Sequence, residues 1–218
     1  MSETPLLQER YAPDEYAVLV ICVFLNQTRA SRAAPYIEAF LDRFPTRESL
    51  RHASTSEIRT TYFEPLGKPL RACTVVRLAK ALLDDPPQPF VLRGKIGEFD
   101  THLSEVGHLP GVGEYASDAW RLFCRQDFYA RYDIRVAEQW KSLHPGDRVL
   151  NIYVQRRRRD EDKANEIVSN LGSMAISSRT TTLFRGGVVV GTQPNKLFIS
   201  QRVLHEAETL GSSSRWRG

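Results

Sequence analysis

Residues 108–124 read His-Leu-Pro-Gly-Val-Gly-Glu-Tyr-Ala-Ser-Asp-Ala-Trp-Arg-Leu-Phe-Cys, a tight turn that runs without a spacer into an amphipathic stretch. Pro110, Gly111 and Gly113 let the chain reverse with its amides uncovered. The pattern predicts a helix over 114–125, which starts at once. Its first N–H groups and positive dipole end then point at the turn, where a phosphate fits. Farther on, His144-Pro145-Gly146-Asp147 sets an acid on a sharp bend. A phosphate clamp paired with one carboxylate points to chemistry on a nucleic acid rather than to binding alone.

Upstream of this hairpin the pattern is helical from Leu6 to about Asp85. Tyr16–Leu25 is apolar nearly all round and reads as a central helix. Asn26-Gln27-Thr28 interrupts it, with Thr28 placed to cap a helix from about Arg29 to Phe44, whose apolar residues Ala33, Tyr36, Ile37, Phe40, Leu41 and Phe44 keep helical spacing. Pro45-Thr46 opens a short helix and Ser54-Thr55-Ser56-Glu57 has the form of a capped start. A further helix covers about 70–83. Asp84 to Pro89 is a loop, and 100–106 lead into the hairpin. Residues 1–155 therefore read as all-α with short connections. Beyond them, residues 156–218 read as a divergent basic and polar tail: a charge run at Arg156–Lys163, a short helix over 160–171, a weak hairpin in the Ser/Thr/Gly-rich stretch 173–200, and disorder at 211–218. The change of character at 156 is abrupt enough to read as an alternative ending of the chain.

Charge follows the same division. The net charge is +4, but residues 156–218 hold 11 Lys/Arg against 6 Asp/Glu, which leaves the body near neutral. A nucleic-acid site in the body must then be a local patch or a set of backbone amides. No run of 18 apolar residues is present, so no spanning helix and no membrane partner are expected, and the polar start lacks a signal-peptide pattern. Cys22, Cys73 and Cys124 lie too far apart for a Cys-x-x-Cys metal site or an iron–sulfur loop. They read as buried thiols of a reducing compartment.

Five segments, taken in order, carry a family resemblance: Leu6-Leu-Gln-Glu9, Val23-Phe-Leu-Asn-Gln-Thr28, Pro65-Leu-Gly67, the hairpin Leu109–Gly113, and His144-Pro-Gly-Asp147 with Leu150-Asn-x-Tyr153. The chain resembles the helix-hairpin-helix DNA glycosylase superfamily. Within it, residues 5–155 look like the thymine/uracil glycosylase domain of the methyl-CpG-binding type and its fungal and plant relatives. The resemblance implies a base-excision-repair enzyme that acts on double-stranded DNA with a mismatched or damaged pyrimidine, in the nucleus, as a monomer. The other reading is a catalytically degenerate helix-hairpin-helix protein that holds duplex without cutting it.

Residue by residue, the resemblance makes Asp147 the catalytic carboxylate, a group that stabilises positive charge on the sugar and orients water. Outside this context an acid in a Pro-Gly-Asp bend is an ordinary turn residue. Tyr115 stands where strand-cleaving relatives carry a lysine. Without that amine no covalent sugar adduct forms, so the expected activity is monofunctional. Tyr115 and Gln8 are implied base-pocket residues, and the Gln8 amide carries the donor and acceptor needed to read a pyrimidine edge. Gln27 is implied as the filler of the gap left by a flipped nucleotide. Gly111, Gly113 and Arg148 are implied phosphate contacts. No metal site is expected; the resemblance allows only a monovalent cation on the hairpin carbonyls.

The chain also departs from the family pattern. Lys68-Pro69-Leu70 is one residue shorter than the usual segment after Gly67, which assigns the apolar wedge to Leu70. About a dozen extra residues near Phe128 to Gln139 read as a surface loop. Val149 stands where a basic residue is expected, with Arg148 beside it to compensate. After Tyr153 the family continues with a Trp-rich closing helix, whereas here Gln155-Arg-Arg-Arg-Arg159 follows and no equivalent is visible. The arginine run also admits a nuclear-import or phosphate-binding reading.

Overall fold

The apolar run at Tyr16–Leu25 folds as a helix buried on every side. In a computed structural model that describes residues 5–94, 103–136 and 138–180, Val18 to Ile21 and Phe24 have no exposed surface. A helix apolar all round belongs at the centre of a bundle. Asp14 caps it by accepting from the Ala17 N–H at 3.1 Å, which satisfies an orphan donor of the first turn.

In chain order the described helices are α1 (Leu7–Tyr11), α2 (Glu15–Leu25), α3 (Ala30–Arg43), α4 (Arg47–Arg51), α5 (Thr55–Ile58), α6 (Arg71–Asp84), α7 (Glu114–Phe123), α8 (Arg125–Ala130) and α9 (Arg148–Thr180). A π-helical turn, Arg59–Phe63, continues α5, and a 3-10 turn spans Gln139–Lys141. Among the described residues there is no strand, only an isolated bridge between Arg93 and Ser104. The all-α expectation is met. By its internal contacts the chain divides into two units, Met1–Ile167 and Val168–Gly218. All side chains considered below lie in the first.

Around α2 pack α1, α3, α6 and α7. An aromatic cluster ties these layers together: Phe24 stacks on Phe63 at 4.3 Å and meets Phe40 edge-on at 5.3 Å, and Phe40 meets Tyr62 at 5.1 Å. Each such ring stabilises the fold by about 1.5–3 kcal/mol through burial, with a smaller increment from ring geometry. Thr46 and Ser54 cap α4 and α5 through bonds to Ser49 N and Glu57 N, as the sequence predicts. The cap of α3 differs. Arg29, not Thr28, is the flanking residue, and it makes no side-chain cap bond. The Thr28 hydroxyl is engaged elsewhere, by Arg71.

Three further expectations change. The segment near Phe128 to Gln139 is not simply a surface loop: Phe128 and Tyr129 are buried, and the Tyr129 hydroxyl donates to the buried Glu105 carboxylate at 2.9 Å. Arg125 Nε reaches the same carboxylate oxygen at 3.1 Å. A buried carboxylate held this way fixes the turn before the hairpin onto α8. Cys73 is exposed, whereas Cys22 and Cys124 are buried.

The third change concerns residues 156–180. The short helix expected over 160–171 is part of α9, which carries through 155/156 without interruption to Thr180. The physical reason lies in what the helix covers. Leu150, Tyr153 and Val154 are buried. Arg156 lies over the Tyr153 ring at 5.5 Å, Arg157 over Trp140 at 4.3 Å, and Arg158 donates to the Leu143 carbonyl at 2.8 Å. Arg156 and Arg157 set their guanidinium groups against rings, and Arg158 turns its own to a main-chain carbonyl. The predicted hairpin beyond Thr180 and the disorder at 211–218 fall outside the described residues.

Candidate active site

The hairpin owes its shape to Gly111. Its φ is +81°, and a Cβ there would lie 2.5 Å from Thr74 Cγ2 and 3.2 Å from Val23 Cγ2. Only glycine meets both demands. Leu109 and Val112 are buried and anchor the turn, and the Leu109 carbonyl accepts the Val112 N–H at 3.1 Å. Gly113 is different. It is extended, flanks the N-terminus of α7, and has open space where a Cβ would stand. Gly113 and Glu114 are both exposed, so the N-terminus of α7 lies at the surface, in keeping with a backbone anion site.

Two residues into α7, the half-buried Tyr115 turns inward. Gln8, on α1 and only 3% exposed, donates from Nε2 to the Tyr115 hydroxyl at 2.6 Å. The thiol of Cys22, on α2 and 1% exposed, lies beside both of these side chains. Burial above all pushes the Cys22 thiol up to about 12, with the negative charge of Asp147 adding to it. The Tyr115 phenol is raised as well, by burial first and then by the negative charges of Cys22 and Asp147. A small buried polar cluster thus forms from three helices, and the Asp147 carboxylate is close enough for its charge to act on it.

Asp147 sits just before α9. Its Oδ1 accepts from the N–H groups of Val149 at 2.9 Å and Leu150 at 3.0 Å. These bonds fix the carboxylate at the positive end of the helix. Among the described residues Oδ2 takes no hydrogen bond and is left for another partner. The bend itself is held from behind, where Asn151 donates from Nδ2 to the Pro145 carbonyl at 3.2 Å. A Cβ on Gly146 would stand 2.9 Å from Glu114 Oε1, so the first residue of α7 and the Pro-Gly-Asp bend abut. The structure brings the hairpin helix and the acid together through that contact. Arg148 is exposed beside them, as is Val149.

Gln27 and Leu70 stand apart from this cluster. Gln27 is exposed and holds a left-handed conformation, φ +53°. Leu70, immediately before α6, is 83% exposed. Arg71 joins their two segments. Its Nη1 donates to the Phe24 carbonyl at 3.0 Å and to the Thr28 hydroxyl at 3.2 Å, and its Nη2 donates to the Asn26 carbonyl. A cleft of about 440 Å³ between α1, α7 and α9 is lined by Glu9, Phe123, Tyr153, Arg156, Arg157 and Asp160, without Gln8, Tyr115 or Asp147.

Sequence reasoning overlooked Cys22, Glu114 and Arg71. Cys22 is hidden inside a run that is apolar all round. Glu114 and Arg71 belong to helix starts where charged residues are commonplace. Among the described residues no group of three or more His, Cys, Asp or Glu gathers to hold a metal ion. A monovalent cation at the hairpin would have to use main-chain carbonyls, one of which already accepts a bond from Val112. No described helix is long and apolar enough to cross a membrane.

No protein-family model matches the chain. It is 30% identical over 153 residues to a methyl-CpG-binding domain protein 4-like protein of Arabidopsis thaliana, covering 68% of this chain and 27% of the relative. It is 30% identical over 158 residues to a thymine/uracil-DNA glycosylase of Pyrobaculum aerophilum, covering 71% of this chain and 60% of the relative. The chain thus spans only part of the length of these curated relatives. Among solved structures, a thermostable thymine-DNA glycosylase is similar with a TM-score of 0.45 and 21% identity, over 57% of this chain and 53% of the other. The resemblance to DNA glycosylases of the helix-hairpin-helix type, carried by the ordered motifs, extends to these two relatives at moderate identity.

Proposed function

We propose that this protein is a monofunctional DNA glycosylase that hydrolyses the bond between sugar and base at uracil or thymine mispaired with guanine in double-stranded DNA. The observation that carries the reading is the Asp147 carboxylate fixed at the start of α9 on a bend that abuts the first residue of α7, the helix whose Tyr115 makes the buried bond to Gln8. A base inside a duplex must be extruded before such a site can reach it, at a cost of a few kcal/mol that is least at a mismatch. Gly111, Gly113 and the α7 amides would hold the backbone, with Arg148 adding charge at the rim. Gln8 would read the extruded pyrimidine, oriented by its bond to Tyr115. Gln27 and Leu70 would occupy the gap and part the neighbouring bases.

As the glycosidic bond breaks, positive charge grows on the sugar. The unbonded Asp147 oxygen stabilises that charge and directs a water to the sugar carbon, taking its proton. Tyr115 supplies no amine, which supports hydrolysis to an abasic site without strand cleavage. Location in a nucleus belongs to the same proposal.

The test uses labelled duplexes bearing a G:U or a G:T pair. Wild-type protein in excess converts them to alkali-sensitive sites, and Asp147→Asn binds them without conversion. Binding without any product from the wild type would overturn the enzyme reading. Nicking without alkali would overturn the monofunctional one.

A further inference from the structure

We infer that Arg71 is a positioning residue that locks the Gln27 turn to the Leu70 wedge, so that the two enter the duplex as one rigid probe; the inference rests on the glycosylase reading above. Gln27 is a non-glycine residue in the left-handed region, a strained conformation that persists only where the surroundings impose it. The turn follows the C-terminus of α2, where carbonyls lack intrahelical donors. Arg71 supplies those donors. Its acceptors, Phe24 O, Asn26 O and Thr28 Oγ1, lie on both sides of Gln27 along the chain. The guanidinium is partly withdrawn from water, which lowers its pKa, and all three acceptors are neutral. Its planar fork is thus spent on shaping this turn.

The same residue opens α6, directly after Leu70. Whatever fixes Arg71 therefore also fixes the peptide that carries the exposed leucine. A second arginine closes the ring: Arg32 of α3 donates from Nη2 to the Pro65 carbonyl at 2.7 Å, tying the helix after the Gln27 turn to the loop before Leu70. Gln27 and Leu70, 43 positions apart in sequence, are joined through one guanidinium. This arrangement also explains why Thr28 does not cap α3.

The experiment is a double-mutant cycle with a readout that needs no catalysis. Single-turnover excision from a G:U duplex is measured for wild type, Arg71→Met, Gln27→Ala and the double variant. Fluorescence of 2-aminopurine placed beside a tetrahydrofuran abasic analogue reports insertion in the same proteins. Arg71→Met is expected to slow excision by about tenfold or more and to reduce the fluorescence change. The double variant is expected to lose less than the product of the two single losses, because Arg71 acts in part through that turn. Arg71→Lys, which keeps charge but loses the fork, recovers only part of the loss, and Thr28→Val stands in if Arg71→Met does not fold. Multiplying losses in the double variant, or a wild-type fluorescence change in Arg71→Met, would overturn the inference. If wild type excises nothing, the glycosylase reading falls and the fluorescence arm still decides the role of Arg71.

Discussion

Gln8 and Tyr115 meet at 2.6 Å, amide nitrogen to phenol oxygen, across 107 positions of sequence. The bond closes α1 onto α7. Removing the hydroxyl strands a donor in a nearly sealed site. Tyr115→Phe is therefore expected to cost about 1–3 kcal/mol of stability, read as a lower urea midpoint with unchanged slope. It should also weaken discrimination between G:U and undamaged duplex, since the amide is no longer held in one orientation. An unchanged midpoint together with unchanged discrimination would show the bond to be idle.

Asp147 has separable duties, because one oxygen caps α9 and the other has no partner among the described residues. Asparagine keeps a capping oxygen but not the charge. Asp147→Asn should keep its thermal midpoint and lose about 10²–10⁴-fold in single-turnover rate. Asp147→Ala should lose the rate and, in addition, about 0.5–2 kcal/mol of stability from the missing cap. Equal stability losses in both variants would argue against the division of labour between the oxygens.

The contrast between these residues shows what one dimension of sequence can reveal. Asp147, Gly111 and the α7 start are legible because turn chemistry is local: a Pro-Gly-Asp bend or a Gly-x-Gly hairpin declares itself within a few residues. Tyr115 facing Gln8, and Cys22 between them, are not local. They depend on α1, α2 and α7 converging, and Cys22 in particular reads as one more apolar residue of a core helix. Arg156 to Arg159 mislead for a different reason. Counted as charges they suggest a solvated tail, but Arg156 and Arg157 lie over the Tyr153 and Trp140 rings, and the packing of those two side chains decides the structure.

That packing can be tested on Arg157, whose guanidinium stands 4.3 Å from the Trp140 ring. Arg157→Ala should destabilise the fold by about 0.5–2 kcal/mol and redden the tryptophan emission as water reaches the ring. Arg159, which is exposed, serves as the control: Arg159→Ala should change neither. Equal behaviour of the two variants would return the run to the status of a solvated charge cluster.

The hairpin glycines predict opposite phenotypes. Gly111→Ala must place a methyl 2.5 Å from Thr74 in a left-handed residue. The variant is expected to lose about 2 kcal/mol or more of stability. Gly113→Ala meets open space in an extended conformation, so the fold should keep its midpoint. Its methyl would project over the surface proposed to hold a phosphate, and duplex affinity should drop several-fold at fixed salt. Loss of affinity without loss of stability in Gly111→Ala, or the reverse in Gly113→Ala, would contradict this assignment.

Cys22 gives a pH dependence whose sign follows from its burial. Its thiol is pushed up to about 12 from an ordinary value of 9.0. The folded protein therefore holds this proton over a range in which the unfolded chain releases it. The contribution to stability is fully present below about pH 9 and is lost as pH rises from there toward 12. The raised groups Tyr115 and Cys124 act in the same direction. Urea midpoints should accordingly fall on the alkaline side, and Cys22→Ala should make that fall shallower. The same protonated state makes Cys22 a poor nucleophile. In native protein near pH 8, iodoacetamide should label the exposed Cys73 and spare the buried Cys22 and Cys124, with all three labelled only after denaturation. Mass spectrometry counts the adducts. Rapid native labelling of Cys22 would mean that the Gln8–Tyr115–Cys22 cluster opens to solvent, and the alkaline stability loss should then disappear with it.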